Sequence, residues 1–157
     1  MEETRKYVRW TLIGMQGVFF ALAMAEMLFG MVTVYAQYSS PSQRVEVGVL
    51  VRLVLAFVVV MTLVIGGVCY RKKMRLLDPA WNIETKLKYF RKAYLIKMGV
   101  WMGAGLVSLL GYMFCWGPLW IIPWIFILFI MGRNYPYPLL MSQEMDLNEE
   151  ERTWMRT

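Results

Sequence analysis

Between residues 10 and 36 the chain is apolar except for a few hydroxyl groups and two larger polar side chains, Gln16 and Glu26. As a helix this stretch is roughly 40 Å long, at 1.5 Å per residue, and a bilayer's hydrocarbon core is about 30 Å thick. No soluble core needs such a run. Three more apolar runs follow, at 45–70, 94–115 and 118–133. They are continuous rather than alternating, which excludes a membrane β-barrel. The pattern predicts an all-α polytopic membrane protein, a four-transmembrane-helix antiparallel bundle. It divides into a membrane domain over 1–138 and a polar tail over 139–157.

Composition agrees. Of 157 residues, 59% are hydrophobic and the mean hydropathy is +0.46, above the range of soluble domains. The first run is longer than a signal-peptide core, and its small residues Ala21, Ala23 and Ala25 lie mid-run rather than at a cleavage site. It is read as a retained span.

The net charge of +6 is placed at the ends of apolar runs. Arg5, Lys6 and Arg9 precede the first. Nine cations lie in 71–97, between the second and third, against only Asp78 and Glu84. Nucleic acid is therefore not the expected partner. The positive-inside rule puts both termini and the 71–93 segment in the cytoplasm of a plasma (inner) membrane protein. Asp78-Pro79 has the form of a helix start. Trp81, Leu87, Phe90 and Tyr94 then fall near helical spacing, predicting an amphipathic helix that lies on the inner leaflet and runs into the third span. The same 71–97 segment could contact anionic lipids. The 37–46 loop, with one cation, reads as an outer connection, and 116–118 as the outer turn before a fourth run shortened by Pro123. Near the end, the acids from Asp146 to Glu151 followed by Arg152 predict a short C-terminal helix with Leu147, Trp154 and Met155 on its apolar side.

The sequence lacks histidine, and Cys69 and Cys115 end successive runs, on opposite sides of an up-down bundle. Bridged Cα atoms lie within about 7 Å, so these two do not pair. No catalytic constellation, metal-ligand spacing or phosphate loop is present, and no cofactor is expected.

Glu26 is the sharpest candidate. It lies about 15 Å from the outer end of its span, where a charge costs on the order of 3 kcal/mol on insertion scales. Arg52, some 9 Å inside the second span, is the cation within reach if the first two spans pack as neighbours. The pair reads either as a salt bridge locking that hairpin or as an ion or substrate site; Arg52 snorkelling to the surface is the bland alternative. Gln16 reads as an interhelical hydrogen bonder. Gly99-x-x-x-Gly103 marks a candidate helix-packing face, inside the chain or between copies.

Two functions fit. The first is a non-enzymatic accessory, assembly or partner-binding component. The alternative is a small oligomeric transporter or channel using Glu26 with Arg52. Polar residues in the spans are few: Gln16, Glu26, Arg52, Thr62 and Ser108. That is too few to line an evident pore in one chain, and it favours the first.

Overall fold

The computed structural model describes residues 2–39, 48–115 and 118–156. Every described element is helical: α1 (Glu2–Ser39), α2 (Val49–Met74), α3 (Ile83–Cys115), a 3₁₀ turn (Pro118–Trp120), α4 (Ile121–Arg133), α5 (Pro138–Glu144) and α6 (Glu149–Arg156). Three of them, α1, α2 and α3, are long and apolar enough to cross a membrane. The 13 residues of α4 measure about 20 Å, short of that length. The outer connection over 40–47 and the turn at 116–117 lie outside the described residues, as do the side chains of Trp154 and Met155.

Helix α3 is the pillar of the structure. Half of its apolar window is buried inside the protein, against 22% for α1 and 11% for α2. Helices α1, α2 and α4 all pack on it. The sequential pair α1 and α2 shares no substantial interface of its own. Four termini meet at one end, which carries most of the cations: the starts of α1 and α3 and the ends of α2 and α4. Much of the buried core lies there. Val8, Met15 and Phe19 of α1 join Leu87, Phe90, Tyr94 and Met98 of α3, and Met131 of α4.

At 38 and 33 residues, α1 and α3 are about 57 Å and 50 Å long, so both project beyond a bilayer core. At the basic end the projecting turns are covered by the C-terminal segment. Met141 and Met145 are fully buried and Leu147 nearly so. The residues after 138 thus form two helices folded onto the bundle. Helix α5 ends in a Schellman turn, with Asp146 left-handed at φ 48°. The Leu147 and Asp146 amides donate to the Ser142 and Gln143 carbonyls at 3.1 and 3.3 Å.

The amphipathic helix runs on into the third span as expected, α3 being unbroken from Ile83 to Cys115. Two expectations over 71–97 are corrected. The apolar face assigned to lipid is buried in protein, with Leu87 and Phe90 wholly inaccessible. The helix also begins at Asn82 rather than Asp78. Asn82 Oδ1 accepts the Thr85 amide at 3.0 Å, the N-cap to N3 bond that starts a helix. Asp78 instead accepts the Ala80 amide within a turn.

Candidate functional site

Lys97, Trp101, Gly105 and Ser108 recur at helical spacing along one stripe of α3, and all four are buried. The stripe carries two polar levels.

Lys97 forms the first. Its ammonium lies 3.9 Å from the ring centroid of Tyr70 on α2, with Trp101 and Tyr94 at 5.0 and 5.8 Å. Such positions attract a cation to the electron-rich ring faces. It donates to Asn134 Oδ1 at 2.9 Å. The Tyr94 hydroxyl donates to the Asn134 carbonyl at 2.9 Å, and the Tyr70 hydroxyl donates to Glu144 of α5. One network therefore ties α2, α3, the end of α4 and α5 together. Nearby, the buried Lys86 pairs with Glu151 of α6 at 3.3 Å. Sequence reasoning placed Lys97 with the orientation charges and missed this role. The available signal was its position three residues inside the apolar run that starts at Tyr94, in i, i+4 register with Trp101.

Glu26 forms the second level. It is fully buried, at the junction of α1, α3 and α4. Its carboxylate rests on Gly105, so closely that a Cβ there would overlap Oε1. The Trp124 indole N–H lies beside it without completing a hydrogen bond, and neither carboxylate oxygen has a hydrogen-bond partner among the described residues. The Trp124 ring itself fills a notch at Gly30 of α1. A Gly105→Ala change should therefore cost about 1–3 kcal/mol through overpacking. Adding Glu26→Ala should recover part of that loss, read as detergent-solubilised thermal unfolding; strictly additive losses would mean the contact is not there.

Arg52 is not brought to Glu26. It is exposed on α2 and forms no ion pair among the described residues. The reason lies in the packing, since α1 and α2 each lean on α3 rather than on each other. Arg52→Gln is expected to change stability by less than about 0.5 kcal/mol and to be additive with Glu26→Gln. A coupling above 1 kcal/mol in that cycle would restore the pair.

Gln16 does cross between elements, donating to the Pro136 carbonyl at 3.3 Å. Gln37, not singled out from sequence, does the same to Met113 at 3.2 Å near the other end. Gly99 and Gly103 are not notches within the chain: a Cβ at either would meet nothing within 4 Å. The notches are Gly30, Gly66, Gly105 and Gly111, which receive Trp124, Trp101, the Glu26 carboxylate and Trp120. In each case a small residue faces a large or polar group on a neighbouring element, the usual route to close approach in membranes.

A groove of about 680 Å³ lies between α2 and α4. Val60, Val64 and Gly67 line one wall, Pro123 and Phe126 the other, and Arg71 stands at its basic end. Glu26 does not line it. No group of three or more carboxylate or thiol residues able to hold a metal occurs among the described residues. No family model, curated protein or solved structure matches this chain.

Proposed function

We propose that this chain is a non-enzymatic membrane component that works by binding a partner protein. The observation that carries the reading is the attachment of α2. That span is fastened to the rest by α3, is only 11% buried through its apolar window, and leaves a groove beside α4. At the basic end the Lys97 network, Tyr70 of α2 included, and the α5–α6 cover tie the molecule together, so the loosely covered part of α2 is its face toward the groove. A rigid body with one under-packed span suits a docking component.

In this reading α4 makes a fourth crossing. The 3₁₀ turn adds about 6 Å to its 20 Å, and Trp120 at one end and Arg133 at the other suit the two interfaces. The basic end faces the cytoplasm of the inner membrane, and exposed cations of 71–97, such as Lys72, Arg75 and Lys88, contact anionic lipids there. A reporter fused after Thr157 should then be fluorescent in the cytoplasm; phosphatase activity from the same position would remove the fourth crossing.

A second reading, a small oligomeric transporter or channel, rests on Glu26, since a membrane acid with no hydrogen-bond partner among the described residues is a functional candidate by default. Gentle-detergent purification from the native host, with native mass measurement, separates the two. A stoichiometric second protein is expected. Recovery of this chain alone, as a defined oligomer, would overturn partner binding and favour transport.

A further inference from the structure

We propose that the groove between α2 and α4 seats a single transmembrane helix of the partner. That helix is apolar through the bilayer, approaches closely at Gly67 and carries an acidic residue level with Arg71. This deepens the partner-binding reading and rests on it.

Three observations point to that occupant. The first is length. From Ala56 to Arg71 the groove follows α2 for about 22 Å. One leaflet of hydrocarbon is about half of the 30 Å core. The groove thus passes the mid-plane, as a spanning helix does and a lipid chain from one leaflet does not. The second is the notch. Gly66 is used inside the protein, where a Cβ would sit 3.0 Å from Trp101 and Val100. Gly67, its neighbour, lines the groove, and a Cβ there meets nothing within 4 Å. An unfilled glycine on a groove wall lets a second helix backbone come close. The third is charge. Arg71 is exposed at the end of an otherwise apolar groove and has no ion pair among the described residues. Lys72, Lys73 and Arg75 follow it, so the complementary group on an incoming helix is a carboxylate.

The test is photo-crosslinking in native-host membranes with the full chain, carrying p-benzoylphenylalanine in place of Val64, in the groove, or of Ile65, outside it. The expected adduct from Val64 is an apolar membrane segment of a different protein, with Asp or Glu at the depth of Arg71, and none from Ile65. Its yield should fall about tenfold with Gly67→Phe and with Arg71→Glu, a change typical of losing one good contact. Gly67→Phe should keep the wild-type unfolding temperature, so that loss of yield is not loss of fold. A polypeptide adduct from Ile65 but not Val64 would overturn the groove and leave partner binding standing. Adducts only with lipid, or only with a second copy of this chain, would overturn the proposed occupant. No polypeptide adduct at either position, together with purification of the chain alone, would overturn both.

Discussion

Replacing Glu151 by alanine is expected to cost about 1–3 kcal/mol, because the buried Lys86 loses its hydrogen-bonded counter-charge, a carboxylate that is itself part-exposed. Lys86 is only 1% exposed and its ammonium has Glu151 as ion-pair partner at 3.3 Å. Without that carboxylate a charge stays buried and uncompensated. The same oxygen accepts the Asn148 amide at 3.0 Å, three residues back, so the change also removes half of a capping arrangement at the start of α6. The cover formed by α5 and α6 should loosen first. Limited proteolysis should cut within 139–156 under conditions where the wild type resists, and the unfolding temperature in detergent should drop. The double change with Lys86→Met should lose less than Glu151→Ala alone, because no lone charge remains. Equal losses in the single and double variants would show that the pair does not hold the cover in place.

That contact also marks where sequence reading reached and where it stopped. The apolar runs alone predicted helices and membrane crossing, and α1, α2 and α3 have the length and composition for it. The acids after Asp146 predicted a helix start, and α6 begins at Glu149. Such signals are local, set by periodicity and by capping chemistry. What the sequence hid was pairing. Glu151 reads as one of a run of surface acids until Lys86, 65 residues earlier, is seen beside it. Lys97 likewise reads as one cation among nine. Its burial follows from Tyr70 and Trp101 lying around it, which depends on how α2 sits on α3. The choice among glycines was hidden for the same reason. Gly99 and Gly103 carry the recognisable spacing, but a Cβ at either meets nothing, whereas Gly66, half of an adjacent glycine pair that suggests a notch or a kink, and Gly105 face Trp101 and Glu26. The special position of Glu26 was legible because an acid deep in an apolar run is costly wherever the run packs, and the residue is fully buried. Its surroundings were not, since adjacency in sequence points to spans one and two packing together, whereas α3 holds both.

The functional reading depends on α2 having one face engaged and another free, and two adjacent glycines report on the two faces. Gly66→Leu should destabilise the protein by about 1–3 kcal/mol, because its Cβ alone would lie 3.0 Å from the Trp101 and Val100 side chains. Trp101 would lose its hydrogen bond to the Leu63 carbonyl and its place beside Lys97. Gly67→Leu points into the open groove and should leave stability within about 0.5 kcal/mol, as surface changes do. The measurement is thermal unfolding of both variants, side by side, in the same detergent. A large fall for Gly66→Leu with no change for Gly67→Leu is the result this account predicts. Equal falls would mean that the groove face of α2 is already packed within the chain, leaving no docking surface for a partner.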